Sequence, residues 1–447
     1  MFFLHKVAVA LIHLGCPKNL VDSEVLLGYL SDEFTITDSL ASADVIVVNT
    51  CGFIESAKEE AIDTIFQAAE FKQDRCRALI VTGCLAQRYG RVLLDEIPEI
   101  DGILGVEELP RIREVVHKAL SGQRPLCIER TGYLVSKGPR IRSTPSFSAY
   151  IKVAEGCLNQ CAYCAIPLIR GKQRSRPLEQ IVEEAKSLVA SGVREITLIA
   201  QDTTGYGLDL SSGDRLDVLI GRLSDELPED AWLRTLYLYP TRLTPQIISA
   251  MSSSKQFCRY MDLPLQHISE KVLKSMGRPF QKEKTDELIR LIREKMPDAA
   301  LRTTFLVGFP GETDADFAEL MEFVKEIRFD HVGVFAFSPE EGTKAYEMKP
   351  VVPKEIAQER ADLIMKVQQE ISREKNAARI GQVLEVLCTG VSEESELVFT
   401  GRTRFQAPEI DGVTYFGIPD AEVKPGDVVN VKITQALEYD LAGDVII

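Results

Sequence analysis

Three cysteines stand close together in the segment CLNQCAYC, at positions Cys157, Cys161 and Cys164. Thiolates are the usual protein ligands of iron–sulfur clusters. Spacings of four and three residues allow one tight loop to wrap three corners of a cubane and leave the fourth iron open for a substrate or cofactor. A zinc knuckle is the alternative, but it needs a fourth Cys or His, and the nearest histidines in the sequence are His117 and His267.

A second set of cysteines, Cys16, Cys51 and Cys84, recurs in one repeated local context. Each follows a run that predicts a parallel strand, and each precedes a predicted helix. Because the carboxyl ends of parallel strands line one crevice of an open sheet, we expect these thiols to converge. Helix N-termini there would stabilise anionic sulfur. The alternative is three independent core cysteines, which are common. We expect structural roles for the remaining cysteines, which are Cys76, Cys127, Cys258 and Cys388.

Alternating strand and helix patterns divide the chain into an α/β multidomain protein. Residues 1–120 predict a small parallel α/β sheet domain, and residues 121–147, rich in Gly, Pro, Ser and Arg, predict a linker. Residues 148–380 contain six βα units and a trailing helix, which indicates an open relative of the eight-stranded TIM barrel. Residues 381–447 predict a small β-barrel. Active sites in βα barrels lie where the strands end, and the first cysteine-rich segment occupies such a place.

The composition limits the classes of function. Of the 447 residues, 45% are hydrophobic and 27% are charged, and the formal net charge is −15. No apolar run reaches the roughly 18–20 residues that a membrane span needs, and no cleavage site follows the apolar start, so we expect a cytoplasmic protein without membrane contact. The negative charge argues against a general nucleic-acid binder. It fits a basic partner, or simply solubility.

The segment 157–164, placed after the first barrel strand, closely resembles the CxxxCxxC signature of the radical S-adenosylmethionine superfamily. In that superfamily the open iron binds S-adenosylmethionine, and an electron from the cluster splits the cofactor to give a deoxyadenosyl radical. The resemblance places Tyr163 beside the adenine, although an aromatic packing role stays open. Gln201, Arg302 and Gly308 lie on or after barrel strands and are candidate cofactor contacts, with packing or turn roles as the alternative. No separate catalytic residue is singled out.

The chain as a whole resembles the methylthiotransferase family over essentially its full length. That family combines an N-terminal three-cysteine domain, a radical S-adenosylmethionine barrel and a terminal β-barrel of the TRAM type. The matching stretches are GCPKNLVDSE, NTCGFI, GCLAQ, EGCLNQCAYCAIPLIRGKQRSRP and LVGFPGET. The resemblance implies two four-iron four-sulfur clusters with three cysteine ligands each, one in the barrel and one at Cys16, Cys51 and Cys84.

Several stretches resemble the branch of the family that modifies a ribosomal protein; they are GCPKNLVDSE, QDTTGYG, LYLYPTRL and YMDLPLQHISEKVLKSMGR. This resemblance implies methylthiolation of the β-carbon of an aspartate on small-subunit ribosomal protein twelve. One molecule of S-adenosylmethionine would supply the methyl group and another the radical. Residues 380–447 carry twelve acidic and four basic residues, a net charge of −8, which suits a basic protein partner better than RNA.

Three alternatives stay open from the sequence. The first is a tRNA adenosine 2-methylthiotransferase, whose branch usually has Gln after the first cysteine where this chain has Pro17. The second is a radical enzyme with an unrelated substrate, and the third is a non-catalytic iron–sulfur electron carrier or RNA-binding module. The sequence identifies neither the sulfur source nor the electron donor, and we expect a monomer.

Overall fold

A computed structural model provides the structure of the chain, and it describes residues 6–134, 138–278, 280–393, 395–417 and 423–446. Within these ranges no helix combines the length and the apolar character that a membrane crossing requires. The strands are β1 Ala8–His13, β2 Thr35–Ile36, β3 Val45–Thr50, β4 Ala78–Gly83, β5 Gly102–Leu104, β6 Leu126–Cys127, β7 Ser148–Lys152, β8 Ala154–Glu155, β9 Arg174–Ser175, β10 Glu195–Ile199, β11 Trp232–Thr235, β12 Tyr260–Gln266, β13 Ala300–Val307, β14 His331–Ala336, β15 Val383–Ser392, β16 Ser395–Thr403, β17 Thr414–Gly417, β18 Val428–Ala436 and β19 Leu441–Val445. The α-helices are α1 Pro17–Ser31, α2 Glu55–Glu70, α3 Cys84–Glu96, α4 Ile112–Leu120, α5 Ile166–Arg170, α6 Leu178–Ala190, α7 Leu216–Glu226, α8 Pro245–Ser253, α9 Glu270–Ser275, α10 Lys282–Lys295, α11 Asp314–Ile327 and α12 Lys354–Ala377.

The first domain is a parallel sheet with the strand order β2-β1-β3-β4-β5-β6. Its central strands β3 and β4 are buried along their whole length, as expected for a sheet covered on both faces. Helices α2 and α3 pack on one face, and α1 and α4 pack on the other. The segment 121–147, for which a linker is predicted, contributes the edge strand β6, which pairs with β5.

The second domain contains the six parallel strands predicted for an open barrel. They form two sets of three, β7-β10-β11 and β12-β13-β14, and a bridge between Leu233 and Phe257 joins the sets. Alternate residues of β10 face opposite sides. Ile196 and Leu198 pack into the large core shared with the surrounding helices, whereas the carboxylate of Glu195 accepts a hydrogen bond from a residue of the neighbouring strand β11. The fold therefore places polar side chains inside the barrel.

The third domain is a closed five-stranded barrel in the order β15-β16-β17-β19-β18. Helix α12 packs beside β14 and leads into this terminal barrel. One apolar cluster contains side chains from all three domains, including Val21 of α1, Trp232 of β11 and Leu387 of β15. The three domains are thus packed into one body around the βα barrel.

Candidate functional site

The three N-terminal cysteines follow three strands that are neighbours in the sheet. Cys16 caps the N-terminus of α1 after β1, Cys51 follows β3, and Cys84 opens α3 directly after β4. Since β1, β3 and β4 are adjacent, their carboxyl ends bring the thiols to one edge. Burial raises the pKa of Cys51 to about 11, and repulsion from thiolates at Cys84 and Cys16 adds to this shift, as expected for cysteines that share one edge of a sheet.

Glycines before the first and third cysteines allow the turns to approach closely. A Cβ atom on Gly15 would lie 2.9 Å from Cβ of Cys51. A Cβ atom on Gly83 would lie 2.3 Å from Oδ1 of Asn49 and 2.4 Å from the carbonyl of Thr50. Both glycines have positive φ angles, +91° and +93°, which only glycine adopts without cost. These turns therefore depend on glycine both for space and for backbone conformation.

Asn19 connects the loops that carry the three cysteines. Its Nδ2 donates to the carbonyl of Thr50 at 3.0 Å, and its own carbonyl accepts a hydrogen bond from Asn49 at 2.9 Å. Its Oδ1 lies 2.6 Å from Nη2 of Arg170 and 3.4 Å from Sγ of Cys84. Asn19 was not among the predicted site residues, although its place within the stretch after the first cysteine was the available signal.

Basic side chains surround these thiols. Burial raises the pKa of Cys16, but the Lys18 ammonium, the backbone N–H of Asn19 and the Arg170 guanidinium outweigh this effect, and the pKa lies below its ordinary value. Burial raises the pKa of Cys84, and Arg170, whose Nη2 lies 3.4 Å from the sulfur, opposes the shift. A shell of cations around thiols fits an anionic metal cluster.

The barrel trio, Cys157, Cys161 and Cys164, lies in the loop between β8 and α5. The backbone N–H of Asn159 donates to Sγ of Cys157 at 3.4 Å, and Nη1 of Arg278 lies 3.7 Å from Sγ of Cys161. Burial raises the pKa of Cys164 to about 12, and repulsion from the other two thiols adds to the shift. The three cysteines share this one loop, in which the backbone N–H of Cys164 donates to the carbonyl of Cys161 at 3.1 Å. Arg278, which was not among the predicted site residues, supplies a positive charge beside Cys161.

The two trios lie close to each other at the mouth of the barrel. Cys84 of the first domain packs against Ala165 and Ile169, which follow the barrel cysteines directly. Arg170, the last residue of α5, reaches from the barrel to Cys84. The loop that carries one trio is thus in direct contact with a member of the other.

A second connection runs along the residues that follow β11. The ammonium of Lys18 lies 3.3 Å from the ring centroid of Tyr237. Two residues further on, the ring of Tyr239 stacks on the guanidinium of Arg278 at 4.1 Å, and that guanidinium contacts Cys161. The rim after β11 therefore touches the surroundings of both trios.

Two of the predicted cofactor contacts, Tyr163 and Gln201, lie in segments that follow strands of the βα barrel domain. Tyr163 meets Phe309 edge to face at 6.5 Å between ring centroids, and its hydroxyl lies 3.5 Å from Nη1 of Arg278. Gln201 follows β10 shortly after the strand ends, and its buried Oε1 has no hydrogen-bond partner within the described residues. A buried acceptor without a partner is costly, so this oxygen has the capacity for a further hydrogen bond.

Arg302 lies elsewhere. It is the third residue of β13, near the start of the strand, and its Nη1 lies 3.1 Å from Oδ1 of Asp262. Its Nε lies 3.8 Å from Oδ1 of Asp411 in the terminal barrel. With two carboxylates beside it, Arg302 has its charge compensated inside the protein, and the geometry favours a structural role over a cofactor contact.

Gly308 is also engaged within the protein. Its backbone N–H donates to Oε2 of Glu312 at 2.7 Å. A Cβ atom at this position would lie 2.2 Å from Cβ of Ala357 in α12, and the φ angle is +75°. These contacts support the turn and packing role that the sequence left open.

The cysteines fit metal clusters larger than a single ion. All ten are free of disulfide bonds. In the described part of the chain, no group of three His, Cys, Asp or Glu side chains surrounds one metal-ion position. A four-iron cluster places its thiolates on separate irons around a larger body, so spaced trios of free thiols with basic neighbours are compatible with such clusters.

Family models match each of the three domains. The model described as "Uncharacterized protein family UPF0004" matches residues 8–105, the "Radical SAM superfamily" model matches residues 151–324, and the "TRAM domain" model matches residues 380–446. The radical SAM superfamily uses S-adenosylmethionine and a four-iron four-sulfur cluster.

Solved structures share the fold. The radical S-adenosylmethionine methyltransferase TsrM from Kitasatospora setae, solved with cobalamin and a [4Fe-4S] cluster bound, has a TM-score of 0.57 at 16% identity, over 76% of this chain and 77% of that one. The cobalamin-dependent radical enzyme OxsB, solved with S-adenosylmethionine, has a TM-score of 0.51 at 13% identity, over 83% of this chain and 56% of that one.

Curated relatives extend over the whole chain. "Ribosomal protein uS12 methylthiotransferase RimO" from Desulforamulus reducens is 53% identical, over 98% of this chain and 99% of the relative. Proteins of the same name from Geobacter sulfurreducens and Citrifermentans bemidjiense are 47% and 46% identical, each over 99% of both chains. At this identity and coverage, the chain belongs to the family of ribosomal protein uS12 methylthiotransferases.

Proposed function

We propose that this protein replaces a hydrogen on the β-carbon of an aspartate of small-subunit ribosomal protein twelve by a methylthio group. The observation that carries the proposal is that Cys84 of the N-terminal trio packs on Ala165 and Ile169, in the segment that follows the barrel cysteines. A reaction that joins a radical and a sulfur group at one carbon needs both sources at the same place. Membership of the family supports the same reaction.

The barrel trio, Cys157, Cys161 and Cys164, would hold the cluster that, with S-adenosylmethionine, supplies the radical. The second trio, Cys16, Cys51 and Cys84, would hold a second four-iron cluster, from which the sulfur group comes. In each trio three thiols serve as ligands and one iron stays open. The basic side chains found beside both trios compensate the negative charge of such clusters.

Tyr163 and Gln201 are proposed to contact S-adenosylmethionine. The ring of Tyr163 lies beside the barrel cysteines, and Arg278 orients its hydroxyl. The Oε1 of Gln201, buried and without a partner in the described residues, can accept a hydrogen bond from an amino group of the cofactor. Arg278, through its contact with Cys161, would position the cluster loop rather than the substrate.

The terminal barrel is proposed to attract the ribosomal substrate. Its net charge of −8 over residues 380–447 complements a basic ribosomal protein, and such complementarity mainly raises the rate of association. Association with that substrate would place the protein in the cytoplasm. Because exposed charges are screened by salt, association should slow as the ionic strength rises.

The proposal is tested by competition between substrates. Anaerobically reconstituted and reduced protein is incubated with S-adenosylmethionine, a sulfide source, small ribosomal subunits and tRNA, and both products are analysed by mass spectrometry. We expect the mass increment of one methylthio group on an aspartate-containing peptide of ribosomal protein twelve and unchanged tRNA. A methylthio group on tRNA adenosine, with the ribosomal protein unmodified, would instead identify a tRNA-modifying enzyme.

A further inference from the structure

Lys18 is a buried lysine at the junction between the first domain and the barrel. It is the second residue of α1, two positions after Cys16, and only 9% of its surface is exposed. Its Nζ lies 3.3 Å from the ring centroid of Tyr237, which belongs to the rim after β11. The side chain therefore extends from the N-terminus of α1 towards the barrel mouth.

The ring that receives Lys18 is held in place by the barrel. Tyr237 has a positive φ angle of 64°, which is uncommon for a residue with a side chain. Its backbone N–H donates to Oδ2 of Asp262 at 2.9 Å. The carboxylate of Asp262 also binds Arg302 at 3.1 Å, so Asp262 already has its own cation.

Lys18 differs from the other buried cations nearby. Lys152 and Arg170 each pair with the carboxylates of Asp22 and Glu155. Among the described residues, no carboxylate forms an ion pair with Lys18; its ionisable neighbours are Cys16, Tyr237 and Arg170. A buried ammonium without a carboxylate is unfavourable. The Cys16 sulfur beside it compensates part of its charge, and the ammonium, which has three donors, keeps the capacity to bind a further anion.

We propose that the ammonium of Lys18 binds the side-chain carboxylate of the substrate aspartate and thereby selects aspartate. The inference rests on the proposed function and extends it to a specificity-determining residue. Lys18 adjoins Cys16 of one trio, and Tyr237 leads through Tyr239 and Arg278 to Cys161 of the other. Because the β-carbon of aspartate is bonded to its carboxylate carbon, holding the carboxylate here places the reacting carbon between the trios.

The chemistry of Lys18 favours a carboxylate over the other substrate classes. A charge-assisted hydrogen bond to a carboxylate is roughly twice as strong as one between neutral groups. An asparagine side chain of the same shape carries no charge, and neither does the adenine base of a tRNA. The lysine therefore discriminates by charge rather than by size.

The test compares the affinities of two peptides for the reconstituted protein. One peptide carries the target aspartate of ribosomal protein twelve, and the other carries asparagine in its place. The wild-type protein should bind the aspartate peptide about tenfold or more tightly. Lys18→Met should bind both peptides equally, and Lys18→Arg should restore part of the preference. The matched control is Lys186→Met, a substitution on an outer helix where the lysine pairs with Glu226 and is 53% exposed; it should leave the preference unchanged.

Each other result overturns the inference. If Lys18→Met keeps the preference for aspartate, or if the wild-type protein has none, then Lys18 does not read the carboxylate. If Lys18→Met loses iron relative to Lys186→Met, its role is to hold the adjacent cluster. If the wild-type protein splits S-adenosylmethionine but modifies no aspartate, the proposed function is wrong, and so is the role of Lys18. If the wild-type protein is active and Lys18→Met has the same peptide preference as the wild type, only the role of Lys18 is wrong.

Discussion

Arg170 is a single side chain that contacts groups from two domains. It is 2% exposed and binds Asp22 and Asn19 of the first domain and Glu155 of the barrel. Burial raises the pKa of Glu155, but the charges of Lys152 and Arg170 outweigh burial and keep this pKa below its ordinary value. The residue therefore completes a buried ion network as well as contacting a proposed cluster ligand.

Replacing Arg170 by Met is expected to destabilise the protein. The substitution leaves two buried carboxylates with Lys152 alone, and breaking a buried pair on one side costs about 3–5 kcal/mol. Thermal unfolding followed by circular dichroism should show a clearly lower midpoint. Arg222→Met, which removes a surface pair with Glu179, should cost at most about 1 kcal/mol; equal midpoints for the two variants would contradict the role of the network.

The assignment of the cysteines predicts a distinct loss for each trio. Cys157→Ala and Cys51→Ala should each lose about half of the iron and sulfide. Only Cys157→Ala should also lose the formation of deoxyadenosine, because the radical arises at the barrel trio. Cys388→Ala, at a buried cysteine of the terminal barrel, should keep all the iron. Full iron content in Cys51→Ala would show that the first domain holds no cluster.

The positions of the thiols could be predicted because they depend on local pattern. A cysteine directly after a buried parallel strand lies at the carboxyl edge wherever that strand pairs. The surroundings of Arg302 and Gly308 include instead Asp411 and Ala357, which are distant in sequence. No local pattern indicates such partners, which is why the sequence could not separate cofactor contacts from packing residues.

The turn between β4 and α3 determines the position of the Cys84 thiol. Gly83→Ala combines an unfavourable φ of +93° with overlap of the new Cβ with Asn49 and Thr50, so the turn must move. We expect loss of about half of the iron, from the second cluster alone, while deoxyadenosine formation persists. Iron analysis and product chromatography measure these two effects.

Gly122→Ala is the matched control for that turn. Gly122 has a similar φ of +83°, but no atom lies within 4 Å of its added Cβ. The Gly122→Ala variant therefore introduces a similar backbone strain, but its new Cβ displaces no residue next to a cysteine. If both variants kept the full iron content, the close packing of the β4–α3 turn would not be needed for the proposed second site.

Most elements could be predicted because apolar runs and turn residues mark them. Differences arose where these signals are weak. The helix predicted after Cys16 begins directly at Pro17, because proline suits the first position of a helix. Strand β19 carries little strand pattern, because its segment LAGDV is short and contains Gly and Asp, and β6 lies inside the predicted linker.

At the scale of the molecule, charged contacts join the domains. Glu340 of the barrel binds Arg88 and Lys58 of the first domain. Glu195 binds Arg234 within the barrel and Arg402 of the terminal barrel. The order of the domains could be predicted from the different spacing of apolar residues in each. The ion pairs between domains could not, because their partners are far apart in sequence.

Acidification is expected to weaken the attachment of the terminal barrel. Burial raises the pKa of Glu195, but Arg402 and Arg234 outweigh it and lower the pKa from 4.5 to about 2. Because the folded value lies below the unfolded one, the stabilisation is complete above about pH 4.5 and is lost as the pH falls towards 2. Thermal midpoints of the wild type should therefore fall over this range.

Glu195→Gln tests the origin of that pH dependence. It should lower the midpoint at neutral pH and flatten its decline in acid, because the titrating carboxylate is gone. Glu229→Gln, at a surface pair with Lys255 in which both side chains are more than 70% exposed, should follow the wild-type profile. An unchanged acid profile in Glu195→Gln would assign the pH dependence to other groups.

Helix α1 unites tasks that multidomain proteins often distribute over separate segments. Cys16, a proposed metal ligand, is the residue before its first turn, and Lys18 lies in that turn. Val21 belongs to the apolar cluster shared by the three domains, and Asp22 belongs to the buried ion network. Exchange of the first domain with that of a relative would therefore change both the substrate specificity and the contacts that hold this domain to the barrel. Hybrids that are joined between the first domain and the βα barrel are expected to be active only when α1 and the barrel surface that faces it come from the same protein.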